Sequence, residues 1–342
     1  MKAAVFAFSL QGLQTAERIC LALRGAEDDF RVYAPQRLAG GEVRSIAPPL
    51  ADFAGALFQE MDALIFVSSC GIAVRAIAPH VRSKTTDPAV VALDERAGFV
   101  VPLLSGHIGG ANALAVRLAE ALGAAAAVTT ATDVNGRFSV DAWAAERGVH
   151  IDSMDAAKAV SAAILEGPVP LKSDFPVTGE LPSGVVRGES GPVGICISWR
   201  RQEPFEKTLL LVPRAVRLGI GCRRGTSWAV IHALVEQVLK ETGVPWEAVK
   251  SAASIDLKKN EPGLLAYCQR QGWPLKFYTA GQLRAVEGDF TSSDFVKKTT
   301  GVDNVCERAA LAGGGELIIK KTARDGVTVA AAVEKYEVRF DG

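Results

Sequence analysis

The stretch FVVPLLSGHIGGANALAVR, residues 99–117, constrains this chain more than any other. Its first six residues are apolar and rich in β-branched side chains, which predicts a short buried strand. Ser105-Gly106-His107-Ile108-Gly109-Gly110 predicts a turn, and Leu114, Leu118, Ala121 and Leu122 follow at helical spacing. A strand entering a helix through a glycine-rich turn belongs in a layered α/β sheet, its helix folded back onto the strand. The same turn aims backbone N–H groups at whatever lies before the helix, where the helix dipole favours an anion. His107 stands in that turn, with an imidazole in reach of the anion. Glycines in this position also serve simply to bring a helix close to a sheet. Neither common nucleotide loop is present: no Lys-Ser/Thr follows the glycines, and their spacing is not G-x-G-x-x-G.

The flanking sequence extends the pattern. Strands at 2–9, 30–34, 62–69 and 89–93 alternate with helices at 13–23, 51–59 and 70–78, which predicts a mostly parallel sheet. Ligands of such sheets bind beyond the carboxyl ends of the strands. Three polar clusters are expected there: Ser68-Ser69-Cys70-Gly71, Asp94-Glu95 and Ser105-Gly106-His107. The loop at 79–88, with His80 and Asp87, is dense in hydrogen-bonding groups, and functional residues favour such loops. Helices at 139–147 and 155–166 precede a run of Pro and Gly at 167–192, with short strands at 194–199 and 209–212.

A second α/β unit opens at residue 216. A strand at 217–222 leads through Arg223-Arg224-Gly225-Thr226 into a long helix at 227–242. Gly219-x-Gly221-x-x-Arg224-Gly225 misses the dinucleotide fingerprint, and no acidic residue stands at the required distance. Two guanidinium groups at a helix entrance fit a carboxylate, a solvated arginine pair being the plain alternative. Asp256, Lys258, Lys259, Asn260 and Glu261 crowd another strand-to-helix turn, with Pro262 near the first helical position. A short helix at 305–314 carries Glu307 and Arg308, which helix-end packing explains equally well. A hairpin at 317–322 and 327–332 closes the chain. The fold class expected is α/β: two α/β domains with mostly parallel sheets, 1–137 and 214–342, joined by a small loop-rich middle region, 138–213.

Composition excludes some partners. Lys+Arg and Asp+Glu both total 38, so no global field draws the chain to nucleic acid or an anionic membrane. An acidic ligand has to be met by local basic groups. The six cysteines form no C-x-x-C pair, so neither a zinc site nor a disulfide framework is signalled, and a reducing cytoplasm fits best. The apolar N-terminus is broken by Gln11, Gln14, Glu17 and Arg18, unlike a signal peptide. No stretch reaches the roughly 18 uninterrupted apolar residues of a membrane span.

Six ordered segments carry a family resemblance: SSCGIAVRAIAPHVRSKTTDPAVVALDE (68–95), VPLLSGHIGGANALA (101–115), TATD (130–133), GIGCRRGT (219–226), SIDLKKNEPGL (254–264) and VCERAALAGG (305–314). Together they resemble the CbiG family of cobalamin biosynthesis, the cobalt-precorrin-5A hydrolases of the anaerobic vitamin B12 pathway, over nearly the whole chain. The resemblance implies hydrolytic opening of a δ-lactone on a cobalt-bound, ring-contracted tetrapyrrole, with loss of acetaldehyde to give cobalt-precorrin-5B. No cofactor is then expected, because the cobalt arrives with the substrate. Other cobalamin-pathway enzymes are conceivable partners, and the oligomeric state is left open. Such chemistry needs a base, oxyanion donors and cations for the peripheral carboxylates. His107 is the expected base or proton shuttle, with His80 and Asp87 next in rank. Ser105, Gly106 and the Gly109 and Gly110 amides are expected to meet substrate. Arg223, Arg224, Thr226, Lys258 and Asn260 are expected to hold its carboxylates. Axial ligation of the substrate cobalt is another role open to His80 or His107. The competing class is a non-catalytic tetrapyrrole carrier of the same pathway, and a nucleotide-binding enzyme comes third.

Overall fold

The computed structural model describes residues 1–342 apart from 24, 26–27, 84–85, 294–296, 299 and 341–342. Lys84 and Thr85 of the polar loop therefore lie outside the described residues. The chain divides into two compact units, Met1–Ala142 and Trp143–Gly342.

The first unit runs β1 (Lys2–Ala7), α1 (Leu10–Leu23), β2 (Asp29–Ala34), β3 (Arg44–Ser45), α2 (Leu50–Phe58), β4 (Ala63–Val67), α3 (Cys70–Ile77), β5 (Ala89–Leu93), β6 (Phe99–Leu104), α4 (Ala111–Leu122), β7 (Ala125–Ala126) and α5 (Ala131–Val134). Its seven strands lie in the order β3-β2-β1-β4-β5-β6-β7. Both faces are covered, as the unbroken apolar strands require. On β1, Ala3, Val5 and Ala7 pack with α1 and α4, whereas Ala4 and Phe6 pack with α2 and α3. Each large side chain buried in this way, such as Phe66, Ile19 or Leu118, contributes about 1.5–3 kcal/mol.

One strand departs from the expected polarity. β6 runs antiparallel to β5, with Leu104 opposite Val90. Only residues 94–98 join the two strands, and a parallel return needs a connection of about a dozen residues or more. Asp94 closes the hairpin by accepting from the N–H groups of Arg96 (2.9 Å), Gly98 (2.8 Å) and Phe99 (2.8 Å). Burial works against its charge, but those amides outweigh it and hold the carboxyl below its ordinary value. Ser105-Gly106-His107 therefore emerges at the sheet edge opposite the 68–71 and Asp94 clusters. β7 then runs parallel to β6, so β6, α4 and β7 form a small unit of reversed polarity with carboxyl ends of its own.

α6 (Val140–Glu146) leads into the second unit. There β8 (His150–Ile151), α7 (Met154–Glu166), β9 (Val169–Ser173), β10 (Val177–Thr178), β11 (Val185–Arg187), β12 (Val193–Ile197) and β13 (Lys207–Val212) come first. Five of these strands form a sheet in the order β11-β9-β12-β13-β8. The Pro- and Gly-rich stretch is thus more regular than its composition predicts. Gly184, with φ +87°, shows why: a Cβ there would lie 2.6 Å from Ile164 of α7. Cys196, Leu210 and Val212 of this sheet share one core with Val216 and Leu218 beyond it.

The unit continues with β14 (Val216–Cys222), α8 (Trp228–Thr242), β15 (Val249–Ile255), α9 (Pro262–Gln271), β16 (Leu275–Tyr278), α10 (Ala280–Arg284), α11 (Cys306–Leu311), β17 (Glu316–Arg324), β18 (Val327–Val333) and β19 (Val338–Arg339). The second sheet has the order β16-β15-β14-β18-β17, parallel from β14 to β16. Gly219 on β14 is a packing glycine, since a Cβ would lie 1.8 Å from the Cys306 carbonyl oxygen of α11. Glu307 on α11 is fully buried and accepts from Thr291 N (2.7 Å), Thr291 Oγ1 (2.9 Å), Asn304 Nδ2 (2.8 Å) and Lys321 N (2.6 Å). Arg308 binds Asp303 (2.8 Å) and the Val286 carbonyl (2.8 Å). This segment is a structural tie. Among the described residues no helix is long and apolar enough to cross a membrane.

Candidate functional site

β6 delivers the chain into a tightly folded turn. Ser105 has φ +56°, a left-handed conformation that strains a residue with a side chain. Gly109 lies so close that a Cβ there would come within 2.3 Å of the Ser105 Cβ. A Cβ on Gly106 would meet Asn112 Oδ1 at 2.7 Å. The turn uses its own donors: Gly110 N–H binds the His107 carbonyl (2.9 Å), Ala111 N–H that of Ser105 (3.0 Å) and Asn112 N–H that of Gly106 (2.9 Å). The Gly110 amide is thereby taken, and the Gly109 amide has no acceptor among the described residues. The Ser105 hydroxyl is buried without a partner among the described residues.

The turn presents His107 to two carboxylates. Nε2 lies 3.0 Å from Asp133 Oδ2 and Nδ1 lies 3.1 Å from Asp141 Oδ1. Thr132 Oγ1 is 3.3 Å from Nε2. Asp133 Oδ2 also accepts from Asn112 Nδ2 (2.9 Å), which in turn binds Thr130 Oγ1 (2.7 Å). Asp141 Oδ1 also accepts from Ser139 Oγ (2.9 Å) and from the Ala142 amide (3.1 Å). The Asp141 hydrogen bond raises the His107 pKa; burial opposes it, and the Asp133 bond and both charges add to the rise. Both ring nitrogens lie within hydrogen-bond distance of a carboxylate oxygen, an arrangement that favours the protonated ring and leaves neither nitrogen open.

The other expected site residues fall elsewhere. His80 places Nε2 2.9 Å from the Ala51 carbonyl oxygen, its ring against Gly55, so it fastens the 78–80 turn to α2. Asp87 is buried and accepts from the Arg82 and Ser83 amides at 2.9 and 3.0 Å, and its carbonyl lies near Gly109. It supports the turn from beneath. In the second unit, Gly225 N–H donates to Glu261 Oε1 at 2.6 Å, and Lys258 Nζ lies 3.2 Å from Glu261 Oε2. Burial raises the Glu261 pKa, but Gly225, Lys258 and Arg224 outweigh it and hold the carboxyl below its usual range. The anion place at this helix entrance is filled by the chain's own carboxylate, and Lys258 is neutralised by it. Thr226 Oγ1 donates to the Arg223 carbonyl (2.8 Å). Arg223, Arg224 and Asn260 remain exposed, and neither guanidinium has an ion-pair partner among the described residues.

Asp133, Asp141 and Asn112 were missed as site residues by motif reading. Asp133 ends the TATD segment and was within reach, because β7 and β6 are parallel neighbours whose carboxyl ends must share an edge. Asp141 sits in a featureless helix start and carried no signal. Burial pushes the Cys196 and Cys268 thiols up to about 12 and Cys306 to about 11, and it raises half-buried Cys222 too, so these four thiols are poor nucleophiles.

Fold and site together define a doubly wound α/β protein with an acid–base cluster at a strand–turn–helix junction. Comparison with known proteins specifies it further. Residues 52–133 match the cobalamin synthesis G N-terminal model, and residues 216–332 match the cobalamin synthesis G C-terminus model. The cobalt-precorrin-5A hydrolase of Salmonella typhimurium is 40% identical over 301 residues, 83% of this chain and 85% of the relative. That of Priestia megaterium is 32% identical over 330 residues, 88% of this chain and 84% of the relative. Protein CobE of a Sinorhizobium species is 36% identical over 119 residues, 34% of this chain and 77% of the relative. The chain belongs to the cobalamin synthesis G (CbiG) family.

Proposed function

We propose that this chain is a cobalt-precorrin-5A hydrolase, opening a δ-lactone on a cobalt tetrapyrrole and releasing acetaldehyde to give cobalt-precorrin-5B. The reaction consumes one water. Its oxygen bonds to the lactone carbonyl carbon, the ring C–O bond breaks, and the former ring oxygen becomes a hydroxyl on the two-carbon fragment. Loss of that hydroxyl proton lets the adjoining carbon–carbon bond break. Acetaldehyde departs, and the electron pair and a proton remain with the macrocycle. The enzyme is in this sense a hydrolase acting on a carbon–carbon bond.

The observation that carries the proposal is the His107–Asp133–Asp141 cluster, an acid–base centre in a chain that resembles cobalt-precorrin-5A hydrolases over most of its length. The Gly109 amide of the same turn, with no acceptor among the described residues, suits an oxyanion that forms at a lactone carbonyl. Arg223 and Arg224 are exposed guanidinium groups suited to the acetate and propionate periphery of the macrocycle. The cobalt belongs to the substrate, no cofactor of the protein's own takes part, and the protein works in the cytoplasm. Turnover in ¹⁸O-labelled water tests the proposal. The expected product carries one heavy oxygen in its freed carboxylate; a product without label contradicts acyl attack by water.

A further inference from the structure

Water attack on the lactone needs an atom that accepts a proton, and, resting on the hydrolase proposal above, the cluster itself singles that atom out. His107 faces carboxylate oxygens from both nitrogens, at 3.0 and 3.1 Å. The Ser105 hydroxyl, the other conceivable nucleophile or relay in the turn, is closed off beneath Gly109 at 8% exposure of the residue. The two carboxylates are unequal. The Asp141 side chain is 9% exposed, and its Oδ1 receives His107, Ser139 and the Ala142 amide. The Asp133 side chain is 37% exposed, and both of its contacts, from His107 and Asn112, fall on Oδ2. Oδ1 of Asp133 has no partner among the described residues.

We propose that Asp133 is the general base of the hydrolysis, acting through Oδ1, and that His107, backed by Asp141, is a positioning residue that fixes this carboxylate. A water held by Oδ1 gives its proton to Asp133 as its oxygen bonds to the lactone carbon and the carbonyl electrons move onto oxygen. As the tetrahedral intermediate collapses, the ring C–O bond breaks and the proton on Asp133 passes to the departing oxygen. Asp133 ends ionised, as it began. A carboxylate with one oxygen anchored by two donors and the other open meets the geometric requirement for a base better than a ring with no open nitrogen.

Full-length variants with cobalt-precorrin-5A test this, read by acetaldehyde release. Asp133→Asn is expected to lose about 10²–10⁴-fold in kcat, with KM within about threefold of wild type. Asp133→Ala is expected to regain at least about tenfold activity with added formate and none with imidazole, a rescue that a merely structural aspartate does not show. The wild-type pH profile needs no variant: a base fixed by a protonated His107 gives a kcat that does not climb through neutrality, whereas a His107 base gives one that does. Asp133→Asn within tenfold of wild type, or a climbing profile, overturns Asp133 as the base while the hydrolase proposal stands. Wild-type protein that releases no acetaldehyde overturns both.

Discussion

The two glycine-rich helix entrances, 105–110 in the first unit and 223–226 in the second, share a local design and differ in what fills it. At the second, Glu261 reaches back from the start of α9 and takes the Gly225 amide, with Lys258 beside it. The acidic partner is the chain's own, the local charges are matched, and two guanidinium groups are left outside. At the first, the turn binds its own Gly110, Ala111 and Asn112 amides and sets its imidazole between two carboxylates. A strand–turn–helix junction therefore fixes where a site is placed, but not whether it binds or reacts. That depends on which remote residues the fold returns to it.

The largest expected effect separates the entrances by chemistry. His107→Ala removes the ring that fixes Asp133, and kcat is expected to fall about 10²–10⁴-fold while the cobalt tetrapyrrole still binds. Steady-state kinetics with a binding titration checks this; a variant with lowered affinity and intact kcat would merge the two roles. Next comes Gly219→Ala, whose added Cβ would meet the Cys306 carbonyl oxygen at 1.8 Å. Overpacking against backbone is expected to cost about 3 kcal/mol in denaturant unfolding. A near-neutral result would mean that α11 moves freely off β14.

Arg224→Ala sharpens the binding side. A charge-assisted bond to carboxylate is worth about 1.5–3 kcal/mol, so KM is expected to rise roughly ten- to a hundredfold with kcat within about threefold. An unchanged KM makes Arg224 a solvated surface residue. The smallest effect is on stability. The folded-state pKa of His107 is raised above its ordinary 6.5, so the stability it contributes is complete below that value and is lost as pH rises through the raised one. Melting temperature is expected to fall as pH rises above about 6.5. His107→Gln should flatten that slope, and an equal slope in the variant would assign it to other groups.

Much of the fold was legible from residue pattern. The strands and helices of both units follow apolar periodicity, and the turns at 105–110 and 223–226 stand where glycine placed them. The polarity of β6 was legible too, because residues 94–98 are too few for a parallel crossover, yet the alternation of strands and helices suggested otherwise. That reversal decides which loops share an edge with His107. The regular sheet at 150–212 was obscured by Pro and Gly, whose turns punctuate short strands. At the site, His107 announced itself as the titratable group of a glycine-rich turn. Its carboxylates did not, since Asp141 reaches it only through tertiary packing, and the closure of the Gly110 amide depends on the actual turn conformation. Glu261 shows the same limit in the second unit: its sequence neighbours suggested a cationic cluster, and its carboxylate neutralises it.

The most direct test mixes purified protein with cobalt-precorrin-5A and measures acetaldehyde alongside binding, for wild type and for His107→Gln. Wild type is expected to release one acetaldehyde per macrocycle, and the variant to bind equally with release slowed at least about a hundredfold. A wild-type protein that binds the macrocycle and returns it unchanged, with no acetaldehyde, would contradict it.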